Sequence, residues 1–225
     1  MNAIRVVVVL ALAAIFAGFV VSANPPNEWA TVRLPDQGGS GVAIWTSKEK
    51  TYLLTAGHCF NENPIRIQFG VQSAKRVSAT KRWVAVNKQR DLALIELSTG
   101  PVPSVAPIAL LFSEKEAYSW GHDGMCWPKV GYKVKIKSSD ARTTWTYDPP
   151  KEGRSGGPLL NSKGELIGIC QGYVISRPHD GVYASLQNIH EFLKECNHAW
   201  LIKGEGPKGA MPLEKPSPNL LLKPL

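Results

Sequence analysis

The chain has 225 residues, 44% of them apolar and 20% charged, with 20 glycines, 17 prolines and a formal charge of +8. That length suits one domain of ordinary size or two small ones, and apolar and aromatic residues spread along the whole chain exclude general disorder. The glycine and proline load excludes a coiled coil, and Lys and Arg are scattered without a long basic block, so the charge speaks for solubility rather than for nucleic acid.

In chain order, Met1 to Arg5 is short and carries one positive charge, residues 6–21 are apolar without a break, and Val20-Val21-Ser22-Ala23 supplies small residues. This is the pattern of a secretory signal, so residues 1–23 are read as a signal peptide and the rest as exported, to the cell envelope or beyond. The flanks favour cleavage after Ala23. The rival reading is an uncleaved membrane anchor, because the run approaches the roughly 20 residues that span a bilayer.

Short runs rich in β-branched and aromatic residues follow at 41–45, 52–55, 65–69, 77–86, 92–97, 130–136, 143–147, 166–170 and 181–184. Gly38-Gly39, Gly100-Pro101, Pro149-Pro150 and Lys163-Gly164 punctuate them. Many short strands at this spacing predict an all-β barrel or sandwich rather than alternating βαβ units. A helix is expected over 186–201, with Ser185 as its N-cap and Leu186, Ile189, Leu193, Cys196 and Trp200 as one apolar stripe. Residues 204–225, rich in glycine and proline, read as a flexible tail.

Cys59, Cys126, Cys170 and Cys196 lie in an exported chain, where disulfides persist. They allow three connectivities if both bridges form, and free buried thiols are the alternative. No spacing is C-x-x-C, so a zinc site is not expected.

Three short motifs carry the chemistry. Leu54-Thr55-Ala56-Gly57-His58-Cys59 runs a strand into a turn that presents an imidazole. Asp91-Leu92-Ala93-Leu94-Ile95 puts an acid at the entrance of an apolar strand, and Gly153-Arg154-Ser155-Gly156-Gly157-Pro158-Leu159 sets a hydroxyl in a glycine-rich turn. Each alone has an ordinary structural reading: a turn histidine, a strand-end charge, a glycine loop.

Together, in the order His, Asp, Ser, they resemble the chymotrypsin-like (trypsin-type) serine peptidases, over roughly 40–200. The arginine before the serine and the compact spacing resemble the bacterial trypsin-like and high-temperature-requirement-type branch more than digestive enzymes. The resemblance implies an all-β fold of two antiparallel six-stranded barrels, at about 30–110 and 111–185, followed by the C-terminal helix, with the site in the cleft between the barrels. It also implies a serine endopeptidase acting on protein or peptide substrates.

The resemblance assigns the catalytic roles to Ser155, His58 and Asp91. A neutral serine hydroxyl is a poor nucleophile, so Ser155 needs His58 to take its proton and return it to the leaving group. Asp91 would hold the imidazole tautomer and steady the cation that forms. The oxyanion would be held by the backbone N–H groups of Gly153 and Ser155, where losing one donor typically costs about 3 kcal/mol of transition-state stabilisation.

The chain departs from the family pattern in three places. Arg154 stands where animal trypsins carry the Asp that pairs with a freshly cut amino terminus, so activation by that route is not expected. Cys59 lacks its usual partner near 38–41. In the Cys170-Gln171-Gly172 stretch, taken as the edge that pairs with substrate backbone, Cys170 would replace a serine that supports the catalytic Asp. For specificity, Pro149 falls at the expected pocket base and Gly172 and Gly181 at its walls, leaving room for a medium or large apolar side chain. Asp180 is the competing feature, because a one-residue shift would turn a carboxylate into the pocket.

Other readings remain open on the residues. A protease-like envelope-binding module, weak or inactive in catalysis, is motivated by Cys170 and by the apolar end of the tail, and an esterase would use the same acyl chemistry. No cofactor or metal is expected, since His122-Asp123 and His179-Asp180 read as polar turn pairs and His190 and His198 lie on the predicted helix. Dispersed aromatics offer no stacking platform for nucleic acid. A monomer is the favoured state, and the membrane enters only through an uncleaved anchor.

Overall fold

The computed structural model describes residues 30–60, 66–69, 75–76, 81–98, 101–125 and 130–205. The expected signal peptide, Cys126 and all but the start of the tail lie outside the described residues. No described helix is long and apolar enough to cross a membrane.

The first half is one antiparallel sheet of seven strands: β1 (Thr31–Leu34), β2 (Gly39–Thr46), β3 (Thr51–Thr55), β4 (Gln68–Phe69), β5 (Lys75–Arg76), β6 (Lys81–Asn87) and β7 (Leu92–Leu97). Their order is β5-β4-β1-β2-β3-β7-β6. Strands β3 and β7 are buried along their whole length, and both faces of each contribute apolar side chains at Leu53 and Leu54 and at Leu92 to Ile95. Side chains of a strand alternate between faces, and here alternate residues feed two cores. Val42, Ile44, Leu54, Leu92 and Leu94 join the larger one; Val32, Leu34, Ala43, Leu53, Ile95 and Leu97 form the smaller one with Ile67 and Phe69.

The second half closes into a six-stranded barrel, as the resemblance implies. Its strands are β8 (Glu116–Gly121), β9 (Val130–Ser139), β10 (Thr143–Thr146), β11 (Pro158–Leu160), β12 (Leu166–Val174) and β13 (Arg177–Ser185). The order around the barrel is β10-β13-β12-β11-β8-β9. The larger core continues from the first half into Ala117, Val134, Leu159, Ile169 and Tyr183, so the two halves share apolar packing.

Helix α1 (Leu186–Glu195) begins where expected, with the Ser185 side chain accepting from the Asn188 N–H. The single helix expected over 186–201 is interrupted. Asn197 adopts φ +62°, the His198 N–H bonds the Leu193 carbonyl at 2.7 Å and the Asn197 N–H bonds Lys194 at 3.1 Å. These two bonds are a Schellman stop, built on one of the few residue types that enter the left-handed region readily. Helix α2 (Trp200–Lys203) follows. Its Trp200 ring stands edge-on to Trp45 at 5.4 Å and Tyr52 at 5.2 Å, returning the chain to the first half.

Candidate active site

His58 sits in a short 3-10 turn, Gly57–Cys59, just after β3, and Asp91 lies at the end of the tight connection between β6 and β7. Because β3 and β7 are adjacent, with Thr55 opposite Ala93, both turns emerge at the same end of the sheet. The turns can close on each other only because residue 57 lacks a side chain. A Cβ there would lie 2.9 Å from the Leu92 nitrogen and 3.1 Å from the Asn87 oxygen. At this approach the His58 backbone N–H donates to Asp91 Oδ1 at 2.7 Å. The ring Nδ1 lies 3.1 and 3.0 Å from the two carboxylate oxygens. The hydrogen bond to Asp91, seconded by the neighbouring Cys59 thiol, raises the imidazole pKa above its ordinary 6.5, and partial burial opposes this only in part.

Asp91 has φ +52°, a left-handed conformation that costs a non-glycine residue of order 1–3 kcal/mol. Several groups hold it there. The Asn87 side chain accepts from the N–H groups of Gln89 and Arg90, both at 3.0 Å, which shapes the turn. The Arg90 carbonyl accepts from Gln171 Nε2 at 2.9 Å and from Asn188 Nδ2 at 3.3 Å. The Arg90 guanidinium reaches α1, donating to Asn188 Oδ1 at 2.8 Å, Glu191 at 3.0 Å and Glu195 at 2.9 Å. The acid of the first half is thus fixed by β12 and α1 of the second.

Ser155, half-buried, belongs to the loop between β10 and β11. Its carbonyl accepts from the Ser40 N–H at 2.7 Å, and the Cys59 sulfur lies 3.7 Å from the same oxygen. Gly156 is pressed against the strand end leading to His58, where a Cβ would fall 2.0 Å from Thr55 Oγ1 and 2.2 Å from the Ser40 oxygen. The Ser155 loop therefore docks on the His58 turn. Gly153, with φ +87°, precedes it in a turn closed by the Arg154 N–H to the Lys151 carbonyl at 3.3 Å.

In the stretch expected to pair with substrate, the Cys170 N–H donates to the Gly157 carbonyl at 2.9 Å and its carbonyl accepts from the Gly156 N–H at 2.7 Å. A bulge follows, since Cys170 pairs with Tyr183 but Gly172 pairs with Val182. The bulged residue is Gln171, and Gln171, not Cys170, reaches the Asp91 turn. The residue facing Gly181 across the ladder is Tyr173 rather than Gly172.

A family model described as a trypsin-like peptidase domain matches residues 39–169. The chain belongs to the trypsin-like peptidase family. Serine protease HTRA4 of Mus musculus is 26% identical to it over 181 residues, which are 70% of this chain and 35% of that protein. The peptidase domain described here thus spans little more than a third of that curated relative. Solved structures that share its fold include two bacterial proteases. One is the serine endoprotease from Yersinia pestis, with TM-score 0.62, 21% identity, and 79% of this chain and 64% of that chain covered. The other is the Rv3671c protease from M. tuberculosis in its active form, with TM-score 0.61, 18% identity, and 81% and 86% covered.

In this trypsin-like peptidase the remaining expected site residues fall as follows. Pro149 is exposed, with its carbonyl accepting from Tyr132 at 3.3 Å. The neighbouring Pro150 is buried, and its Cδ would lie 3.1 Å from a Cβ on Gly181. Thr146 Oγ1, at 2.3 Å, and the Asp148 carbonyl, at 2.6 Å, fill the rest of that space. The packing therefore leaves no room for a side chain at residue 181. Asp180 is 6% exposed and salt-bridged to Lys137 at 2.8 Å, so its carboxylate is already matched. Cys59, Cys170 and Cys196 are free thiols. The Cys59 sulfur occupies the space a side chain at position 39 would need. Burial pushes the Cys170 thiol up to about 12, keeping it neutral beside the site.

Proposed function

We propose that the chain is an exported serine endopeptidase that cleaves peptide bonds through an acyl-enzyme on Ser155. The observation that carries this reading is the Nδ1 of His58 within 3.1 Å of both Asp91 carboxylate oxygens, on the turn against which the Ser155 loop packs. With the Nδ1 proton directed at Asp91, the Nε2 lone pair is left to accept the Ser155 proton as the hydroxyl attacks the carbonyl carbon. The imidazolium then returns that proton to the leaving amine, and water repeats the sequence to release the acid. The negative oxygen of each tetrahedral intermediate is received by the N–H groups of Gly153 and Ser155. The strand edge from Gln171 through Tyr173 aligns the substrate backbone. Export rests on the signal pattern of residues 1–23.

The filled space at Gly181 and the paired Asp180 support a small, uncharged residue ahead of the scissile bond, such as Ala or Val, rather than Lys, Arg or a large aromatic. The binding-module alternative loses its main motive, because Cys170 occupies a ladder position and Gln171 contacts the acid turn. A peptide-library cleavage profile of the wild-type protein beside Ser155→Ala tests both levels. Cleavage by wild type alone, after small apolar residues, is expected. No Ser155-dependent cleavage would reject the enzyme, and cleavage after basic residues would reject the pocket.

A further inference from the structure

Beneath the proposed oxyanion site lies a buried ion pair for which the catalytic reading has no use. Arg154, wholly buried, directs Nε at the Asp123 carboxylate. Its Nη1 donates to the Ser119 carbonyl at 3.0 Å and the Ser119 hydroxyl at 3.3 Å, and the guanidinium lies 4.0 Å from the Tyr132 ring centroid. Asp123 is 16% exposed, with Lys151 3.8 Å from its other oxygen. A buried guanidinium without its carboxylate would carry a large desolvation cost, so the 123–125 turn and the Ser155 loop must keep their relative positions.

The residue after Asp123 makes a second bond to the same loop: the Gly124 N–H donates to the Glu152 carbonyl at 2.7 Å. Lys151 to Arg154 form a β-turn closed from residue four to residue one, with the third residue, Gly153, at φ +87°. Positive φ at that place marks a type II turn, whereas a type I turn would have negative φ there and the central peptide turned over. In a trans peptide the C=O and N–H point opposite ways. Binding the Glu152 carbonyl to Gly124 therefore aims the Gly153 N–H away from the Gly124 side. On its other flank the Gly153 carbonyl accepts from the Ser40 hydroxyl at 2.8 Å, which itself accepts from the His122 N–H at 3.1 Å.

We infer that Asp123, through Arg154 and with the adjacent Gly124–Glu152 bond, is a positioning residue that locks the Gly153 N–H in its donating orientation from within the chain. No newly freed amino terminus is then required to form the oxyanion site. The inference rests on the reading of Ser155 as the nucleophile and of Gly153 as an oxyanion donor.

The test compares wild type, Asp123→Asn and Asp123→Glu, each as the full chain, for kcat, KM, affinity for a peptide boronic acid and circular dichroism. Asp123→Asn should fold, lose at least tenfold in kcat with KM within threefold, and lose boronate affinity by a similar factor. Asp123→Glu, which keeps the charge, should regain most of both. Wild-type kcat and boronate affinity in a folded Asp123→Asn would overturn the inference. If Asp123→Asn does not fold, the decision passes to the processed wild-type chain carrying extra residues ahead of Asn24, with their retention confirmed by intact mass. Full activity supports the internal lock, and loss of activity overturns it. Absence of any Ser155-dependent activity in unmodified wild type would instead reject the peptidase reading, a separate failure.

Discussion

At the scale of single residues, Asp91 binds His58 through both its backbone N–H and its ring, and the consequence is a pH dependence. In the proposed mechanism His58 acts as a base only when neutral. A carboxylate that favours the protonated ring moves the acid limb of kcat/KM upward, above the ordinary 6.5 of a free imidazole. Asp91→Asn removes the charge and should shift that limb back down, while kcat falls by about 10⁴-fold as tautomer control is lost. A pH–rate profile of both proteins checks the two effects together, and an unmoved limb would show that Asp91 does not govern the ring. The motifs around His58, Asp91 and Ser155 stand out in the sequence because the proposed chemistry demands those residue types in short, recognisable settings. Gln171 was named for the substrate edge, but its bonds to the Arg90 and Asp91 carbonyls were not foreseen, because they follow from a bulge at that residue. Nor did any local signal mark Asp123 as the partner of Arg154, since the two are joined only by the fold.

At the scale of elements, the His58, Asp91 and Ser155 turns are held by contacts that cross from one half to the other. Asn188, on α1 and 2% exposed, exchanges hydrogen bonds with both the carbonyl and the guanidinium of Arg90. Asn188→Ala leaves those groups short of partners, and should cost about 2–3 kcal/mol in chemical denaturation. Because the strained Asp91 is then less firmly held, kcat should fall more than the affinity for substrate. Gly156→Ala would force a methyl to within 2.0 Å of Thr55 Oγ1 at φ +83°. The Ser155 loop then has to leave the His58 turn, and we expect loss of activity together with a lowered Tm. Among the strands, those with long apolar runs were legible. Strands β1, β5, β8 and β11 were not, being short or mixed in character, with β11 opening on a proline. The interruption of the C-terminal helix was masked by spacing, since Cys196 and Trp200 continue the stripe by one four-residue step across the Asn197 stop.

At the scale of the whole molecule, a closed barrel and a seven-stranded sheet share one apolar core, and α2 ties the end of the second half to the first through Trp200. Trp200→Ala removes a ring that packs on Trp45 and Tyr52 together, and should cost about 3 kcal/mol of stability. Its effect on kcat in the still-folded protein should be small, because these rings pack on one another and on His198; a selective loss of kcat would contradict that separation. Docking of Ser155, His58 and Asp91 across this shared core is what the enzymatic account requires. The most direct measurement is fluorophosphonate labelling of wild type and Ser155→Ala, followed by intact mass and peptide mapping. The account predicts one adduct per wild-type chain, located on Ser155 and absent from the variant. Equal labelling of both, or an adduct mapped elsewhere, would contradict it.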